Sequence, residues 1–210
     1  MTDIVVGKTV LNYVGSRPYI RGADLYGWFE RQITVSMKPA EMPAVVRQFR
    51  LVREVERDGA WTEGLGSDAS ATVETADSSG TVRRFSFHET GEIITARVPD
   101  IPSNVRKIER QGDFAGRAVL AGPRSMVDLL NGLIEVNKRL HAETLATRGV
   151  PADRIRLIFI ESLPIETQNG ADRVVEFRHL GERRAPGRTY TLNAVRIDQS
   201  GGELRICYSY

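Results

Sequence analysis

The sequence predicts an α+β fold, in which one long helix is followed by a series of antiparallel strands. Over about residues 123–147, apolar residues recur at spacings of three and four, which is typical of an α-helix, and they cover most of its circumference, as in a buried helix. Asn-Gly, Pro-Gly and Gly-Gly steps, which favour turns, separate the segments that follow. These strand-like segments are Ile155–Ile160, Arg173–Leu180, Thr189–Ile197 and Glu203–Tyr208. A long helix followed by such strands indicates an α+β domain.

The long helix has a predicted start and a predicted end. The glycine-containing stretch Asp113–Gly122 ahead of it predicts a loop. Gly149-Val150-Pro151 predicts its end, because glycine is common just past the last helical turn and proline cannot continue the helix. Asp128, Asn131 and Glu135 share one stripe of the helix, since steps of three and four return to the same face.

The first hundred residues predict a second set of elements of the same kind. Apolar positions from Ala23 to about Ile33 suit a short helix, whose aromatic residues we assign to the core. The Asp58-Gly59 step predicts a tight turn, and Asp77-Ser78-Ser79-Gly80 predicts the turn of a hairpin. The predicted strands are Val10–Val14, Val45–Val55, Ala60–Glu63, Ala71–Thr75, Thr81–His88 and Glu92–Val98.

Composition and charge narrow the classes of function. The 210 residues are 41% hydrophobic and 27% charged, with a net charge of +2, which is ordinary for a globular protein. The basic residues are scattered, so we expect no nucleic-acid partner, and no stretch approaches the roughly 20 apolar residues that span a bilayer. Cys207 is the single cysteine and the N-terminus shows no secretory pattern, which together suit a cytoplasmic location. No metal-ligand spacing and no dinucleotide fingerprint is present, so no metal or cofactor is expected.

An internal repeat with an offset of one hundred residues is also visible. Ser16–Gly22 aligns with Gly116–Gly122 without a gap, and both follow the pattern small–Arg–small–apolar–apolar–x–Gly ahead of a helical segment. Identity between the copies is low, so a duplication and a chance match are the two alternatives. A duplication would divide the chain into halves 1–100 and 101–210, each with a helix and its own sheet.

Asp113–Gly122, with the sequence DFAGRAVLAG, resembles the His-Phe-x-Gly-x-Pro-x-x-Pro-Gly motif of the hotdog-fold β-hydroxyacyl-thioester dehydratases. The copy at Tyr13–Gly22 keeps one proline of this motif, and Leu163-Pro164-Ile165 is similar to a step that follows the central helix in that family. Two such halves resemble the double-hotdog dehydratase domains of polyketide synthases. The resemblance implies a double hotdog, with antiparallel sheets wrapped around long central helices, and a substrate that is a thioester of an acyl carrier protein or coenzyme A.

The chain departs from the motif at its catalytic histidine. That position holds Asp113 in the second copy and Tyr13 or Asn12 in the first, depending on the spacing. In the family the histidine takes the proton α to the thioester carbonyl, a task that suits a pKa near neutrality. An asparagine cannot accept that proton, and a tyrosine with a pKa of about 10 does so only if it is strongly perturbed. The sequence therefore does not predict ordinary dehydratase chemistry.

The candidate site residues follow from the resemblance. The family carries an acidic residue in the second turn of its central helix, and one such residue lies here one position later than the usual spacing. The catalytic candidates are Asp128, Tyr13, Asn12 and Asp113. The substrate-binding candidates are Gly22, Gly122 and Asn131, where backbone N–H groups of the glycines at a helix start would polarise a thioester carbonyl. The structural alternatives are a helix-start carboxylate, turn glycines, and ordinary strand and turn residues.

The three histidines are not preferred as catalytic residues. We expect His141 to cap the far end of the long helix, and His88 and His179 to be surface residues of strands, although His88 could enter a pocket from the other half.

The resemblance predicts an atypical hotdog enzyme, a dehydratase-, isomerase- or cyclase-like lyase on acyl thioesters in polyketide or fatty-acid-derived biosynthesis. One alternative is a thioesterase or acyltransferase. Another is a non-catalytic hotdog subunit that pairs with an active partner. A homodimer and a hotdog heterodimer are both open as assemblies.

Overall fold

The computed structural model describes residues 11–14, 19–37, 42–99, 102–151, 154–164, 170–198 and 202–210. The chain divides into two compact units, Met1–Pro102 and Ser103–Tyr210. Most of the motif loop in the first copy, residues 15–18, lies outside the described residues, as do Val10 and Ile165. Among the described residues, no helix is both long and apolar enough to cross a membrane.

The described elements of the first unit are β1 (Tyr13–Val14), α1 (Gly22–Ser36), β2 (Val45–Leu51), β3 (Arg57–Glu63), β4 (Ala71–Ala76), β5 (Val82–Ile93) and β6 (Arg97–Val98). Four of the strands form an antiparallel sheet in the order β3-β5-β4-β2, and β1 and β6 form a short parallel pair. Aromatic residues of α1 pack on the sheet: Trp28 lies edge-on to Phe87 (ring centroids 5.4 Å apart) and Phe29 edge-on to Trp61 (5.1 Å). The aromatic core predicted for this half is confirmed.

The predicted hairpin around Asp77 is confirmed, whereas the predicted turn at Asp58-Gly59 is wrong. The Asp77 carboxylate accepts hydrogen bonds from the N–H groups of Ser79 and Thr81 and closes the β4–β5 turn. Gly59 lies inside β3, where a Cβ would be 2.1 Å from the carbonyl oxygen of His88 on β5. Glycine therefore serves a close approach of two strands here, a use that sequence does not distinguish from a turn.

Two predicted strands of this unit also have different bounds. The strand predicted over Val45–Val55 ends at Leu51, where the N–H groups of Val52 and Arg53 turn to the Ser70 carbonyl. The strand predicted over Glu92–Val98 is divided between the end of β5 and the two residues of β6.

The described elements of the second unit are β7 (Val105–Gly112), β8 (Ala115–Leu120), α2 (Met126–Ala146), β9 (Arg156–Pro164), β10 (Arg173–Ala185), β11 (Arg188–Ile197) and β12 (Glu203–Ser209). These strands form an antiparallel sheet in the order β7-β8-β10-β11-β12-β9. The predicted long helix and the four strands after it are confirmed, although β9 and β10 extend four and five residues beyond their predicted ends at Ile160 and Leu180. The α+β class follows from this order of elements.

The helix α2 is buried against the sheet over most of its length, about 31 Å at 1.5 Å per residue. Gly132 lets it lie close to the sheet, since a Cβ there would be 2.9 Å from the Leu120 side chain. The hydroxyl of Tyr208 on β12 donates to the carbonyl oxygen of Ile134 on the helix. Its buried residues are Met126, Leu129, Leu130, Gly132, Leu133, Val136, Asn137, Leu140, His141, Thr144 and Leu145.

The stretch 113–122, predicted as a loop, is mostly strand. Phe114, Gly116, Ala118 and Leu120 are buried and alternate with more exposed residues, which is the period of two of a β-strand. Gly116 has a packing role, because a Cβ there would lie 2.6 Å from the carbonyl oxygen of Glu109 on β7. The glycine indicated a loop in the sequence, but the alternation around it was the better signal.

The two units share a helix followed by antiparallel strands, but their strand orders differ. Counting the four long strands after each helix, the spatial order is first-third-fourth-second in the first unit and first-fourth-third-second in the second. The similarity between the copies therefore does not extend to the complete order of strands.

Candidate functional site: a buried polar cluster in the second unit

The predicted residue Asp128 lies half-buried in the first turn of α2. Its carboxylate accepts a hydrogen bond from the Arg124 N–H (3.1 Å), and its own N–H donates to the Oγ of the N-cap residue Ser125 (3.1 Å). Asn104 holds the same turn through a bond to the Asp128 carbonyl oxygen. The carboxylate therefore serves the helix start, the structural alternative for this residue, and its catalytic role stays a prediction.

The substrate-binding candidates Gly122 and Asn131 lie at the same end of α2. Gly122 has φ +40° and donates its N–H to the Asp172 carboxylate (3.1 Å), so the donor that a thioester carbonyl would need is already used. A Cβ at Gly122 would lie 2.5 Å from the carbonyl oxygen of Gly170, so a turn role accounts for this glycine. Asn131 is half-buried one turn after the helix start.

The catalytic candidate Asp113 lies at the opposite end of α2. It is exposed in the β7–β8 turn and pairs with Arg110 (3.1 Å) and Arg148 (3.5 Å). Arg110 also donates to Thr144 in the last turns of α2. Thr144 follows Asp128 by sixteen residues, about 24 Å along a helix. Asp113 and Asp128 therefore do not form one site within the second unit.

The candidates of the first unit are Tyr13, Asn12 and Gly22. Tyr13 is buried in β1, its hydroxyl donates to the Glu56 carbonyl oxygen (3.1 Å), and the Arg97 guanidinium lies 5.1 Å from its ring centroid. Burial raises the pKa of Tyr13 above its ordinary value of 10.0, the Glu56 charge raises it further, and Arg97 only partly opposes this. The role of proton acceptor is therefore disfavoured for Tyr13. Asn12 is half-buried just before β1, and Gly22 is the first residue of α1.

A different group of polar side chains meets in the core of the second unit. We call it the polar cluster, and its residues come from three elements. On α2 it includes Asn137, His141 and Thr144; on β11, Thr191 and Asn193; and on β10, His179. All but the last are at most 1% exposed, and His179 is half-buried. Buried polar side chains normally have hydrogen-bond partners, and one that has none calls for an explanation such as a role in function.

Asn193 is the centre of the polar cluster. Its amide nitrogen donates to the carbonyl oxygen of Phe114 (2.8 Å) and to Oδ1 of Asn137 (2.7 Å). A carbonyl oxygen can only accept, so the orientation of the Asn193 amide is fixed by its partners. Its Oδ1 then faces Nδ1 of His179 (3.2 Å), which must carry the proton.

The backbone at Phe114 has the conformation that makes this possible. Phe114 has φ +56°, which is uncommon for a residue other than glycine, and its side chain is buried. Its N–H donates to Thr144 Oγ1 (3.2 Å), while its carbonyl oxygen accepts from Asn193. The Arg148 guanidinium lies 5.0 Å from the Phe114 ring centroid and is held by Glu182 (2.7 Å). Contacts of its backbone and of its ring therefore hold Phe114 in this strained conformation.

His141 is buried inside α2 and does not cap its end, so the sequence prediction is wrong. Its Nδ1 faces the Asn137 carbonyl oxygen (2.7 Å) and must donate, which leaves Nε2 to accept from the Thr191 hydroxyl (2.6 Å). Its ring lies 4.6 Å from the Phe114 ring and stacks at 5.4 Å on Tyr208. Burial lowers the pKa of His141 from 6.5 to about 4, so the ring is neutral at pH 7.

Asn137 is left with an unpaired donor. Its Oδ1 accepts from Asn193, but its Nδ2 is buried and has no hydrogen-bond partner among the described residues. Leaving a buried donor unpaired costs about 1–3 kcal/mol. Such a group in a native core is a candidate for contact with a bound molecule.

The other two histidines are half-buried rather than on the surface of their strands. His88 on β5 lies 3.2 Å from the Asp68 carboxylate, and His179 on β10 belongs to the polar cluster. His179 is followed by a bulge, where the β10–β11 register shifts between His179 and Gly181. Bulges often re-aim side chains next to functional sites.

No family model and no curated protein matches the sequence. A conserved protein of unknown function with a hot dog fold from Alicyclobacillus acidocaldarius matches in structure at 11% identity, over 91% of this chain and 86% of that one, with a TM-score of 0.50. A provisionally assigned oleoyl thioesterase from Lactobacillus plantarum matches at 10% identity, over 96% and 94%, with a TM-score of 0.50. This chain has the hotdog fold.

Dehydratase domains also occur among the similar structures. The dehydratase domain of RzxB from Pseudomonas fluorescens matches at 13% identity over 90% of this chain and 85% of that one, with a TM-score of 0.45. A monomeric dehydratase domain from a trans AT polyketide synthase split module matches at 11% identity and a TM-score of 0.41. Identities this low concern the fold alone, so the chemistry has to be argued from the site.

The polar cluster carried a signal in the sequence that the motif comparison did not use. Asn137, His141 and Thr144 are spaced by four and three, so they share one face of α2. Thr191 and Asn193 are two apart and share one face of β11. Nothing local indicates that these two faces meet.

Proposed function

We propose that the chain is a double-hotdog enzyme that acts on acyl thioesters of an acyl carrier protein or coenzyme A, by a dehydratase-, isomerase- or cyclase-like reaction. The observation that carries this proposal is the polar cluster, which places two histidines and an unpaired amide donor inside a hotdog core. An apolar ligand such as an acyl chain suits the surrounding core, and a few polar groups suit its reacting end.

The chemistry of the polar cluster fits a substrate that carries a carbonyl. Nδ2 of Asn137 is a buried donor without a described partner, and a donor in a water-poor site stabilises charge that develops on a carbonyl oxygen. His179 has its Nδ1 fixed as the donor by the Asn193 oxygen, so its ring has a defined tautomer, whereas both nitrogens of His141 are engaged in hydrogen bonds. A defined tautomer with an available nitrogen suits proton transfer to and from a bound substrate.

The experiment is incubation of the protein with carrier-bound and coenzyme A-bound 3-hydroxyacyl, enoyl and β-ketoacyl thioesters, followed by intact mass. Loss of one water from a 3-hydroxyacyl substrate indicates a dehydratase, and a change in chromatographic retention at constant mass indicates an isomerase or cyclase. Release of the free thiol indicates a thioesterase and contradicts the proposed reaction. No conversion of any thioester contradicts an enzymatic role.

The predicted role of Asp128 is tested by Asp128→Asn in the same assay. The amide oxygen can still accept from the Arg124 N–H, so we expect the fold to persist. Activity should be lost only if the carboxylate takes part, since the Thr144 end of the polar cluster lies about 24 Å away along α2. Glu135→Gln, which removes an ion pair with Arg139 on the same helix, is the matched control and should keep activity. Activity that survives Asp128→Asn would contradict the assignment of Asp128.

A further inference from the structure

We infer that His179 is a proton acceptor whose Nε2 lone pair is kept available by Asn193, and that it supplies the base that the motif lacks at Asp113. Its assignment to an acyl thioester rests on the proposed function above. Its assignment as a base rests on the geometry of the polar cluster.

His179 lies beside Phe114, which directly follows Asp113, the position at which the sequence lacks the motif's histidine. The His179 ring centroid lies 5.0 Å from that of Phe114, the residue directly after Asp113. Asp113 itself is exposed and its carboxylate is engaged by two arginines. A histidine from β10 therefore lies against the residue next to the position where the motif would place its own histidine.

The protonation of His179 follows from a chain of hydrogen bonds. The Phe114 carbonyl oxygen can only accept, so it selects the amide nitrogen of Asn193. The Asn193 oxygen therefore faces His179 Nδ1 and also can only accept, so Nδ1 carries the proton of the neutral ring. Nε2 is then the lone-pair nitrogen, and no described residue gives it a hydrogen bond.

The register of the strands supports the same role. His179 and Asn193 are directly opposite each other in the antiparallel β10–β11 pair, so the supporting amide is built into the sheet. The side chain of His179 is half-buried, so part of it is exposed to solvent.

His141 does not meet these conditions, and His88 meets them only outside the polar cluster. Both ring nitrogens of His141 are hydrogen-bonded and the residue is fully buried. His88 belongs to the first unit, and its Nδ1 lies beside the Asp68 carboxylate.

On a 3-hydroxyacyl thioester the step balances without another reagent. Nε2 takes the α-proton, and the C–H electron pair forms the carbon–carbon double bond as the C–O bond breaks. The imidazolium then returns the proton to the leaving oxygen, which departs as water, and the histidine is neutral again.

The test combines nitrogen NMR of the histidines, chemical modification and turnover. We expect neutral His179 to be protonated on Nδ1, and diethyl pyrocarbonate to modify its Nε2 faster than it modifies the buried His141. His179→Asn keeps an amide donor towards Asn193 but has no basic nitrogen, so we expect kcat to fall by about a hundredfold or more. His88→Gln, a change at another half-buried strand histidine, should keep kcat.

The outcomes separate this inference from the proposed function. Protonation of His179 on Nε2, slow modification, or full turnover by His179→Asn each overturns the inference. A wild-type protein that converts no thioester, but shows the expected tautomer and reactivity, contradicts the proposed function and supports His179 as an available base.

Discussion

Asn193 is the residue on which the polar cluster depends. Its amide joins three elements at once, because it contacts the β7–β8 turn at Phe114, the helix at Asn137 and β10 at His179. If the amide were turned over, its oxygen would face the Phe114 carbonyl oxygen. Two acceptors cannot form a hydrogen bond with each other, so this orientation is excluded. The Asn193 amide therefore sets the tautomer of His179 and the orientation of the Asn137 amide.

His141 predicts an acid-sensitive stability. Its pKa is about 4 in the folded protein because of burial, against 6.5 for an exposed histidine, so the unfolded state binds the additional proton between these values. The stabilising effect is complete above pH 6.5 and is lost as the pH falls towards 4, about 3 kcal/mol in all. We expect urea unfolding from pH 7 to 4.5 to show a steeper loss of stability in the wild type than in His141→Gln.

The control for this prediction lies above pH 7, where the imidazole is neutral in both states. There the two proteins should differ by a constant free energy. Parallel curves that continue below pH 6 would show that His141 is not held neutral by the fold.

At the scale of elements, the apolar periodicity predicted α2, and the turn signals between strand-like segments predicted β9 to β12. Both signals are local in the sequence, and they were sufficient to predict that these elements exist. The stretch 113–122 was predicted wrongly because Gly116 was taken as a loop residue, although it is needed for the close approach of β7 and β8. The polar cluster was not predicted, because it depends on the packing of α2 on β11 and on the left-handed backbone of Phe114. Neither of these is visible in local sequence.

The start of α2 provides a prediction at the scale of one element. Ser125 is the N-cap residue and its Oγ accepts from the Asp128 N–H. Ser125→Ala leaves that donor unpaired and should lower the free energy of unfolding by about 1 kcal/mol. Thr34→Ala, at an exposed helical position whose hydroxyl donates to the Glu30 carbonyl of its own helix, is the control and should cost less than about 0.5 kcal/mol. Equal effects of the two changes would contradict a capping role for Ser125.

At the scale of the whole molecule, the two units have similar elements but different cores. The described core of the first unit is rich in aromatic rings, with Trp28, Trp61 and Phe87 in mutual contact. The core of the second unit contains the polar cluster around Asn193. If the chain arose by duplication, the copies have diverged in strand order and in the chemistry of their interiors. The proposed chemistry accordingly belongs to the second unit.

Binding without turnover gives the last prediction, because it separates an enzyme from a hotdog subunit that only binds. A thioether analogue of an acyl-coenzyme A cannot react, and at about one hundred times its Kd it should stabilise the folded protein by about 3 kcal/mol. For a chain of this size that corresponds to a rise in Tm of roughly 5–10 °C. Coenzyme A without the acyl chain is the control and should give a smaller rise, since the apolar core has no chain to hold. A rise in Tm with the analogue, without conversion of the matching thioester, would identify a binding subunit. An unchanged Tm with both coenzyme A-linked and carrier-linked analogues would contradict an acyl-thioester site altogether.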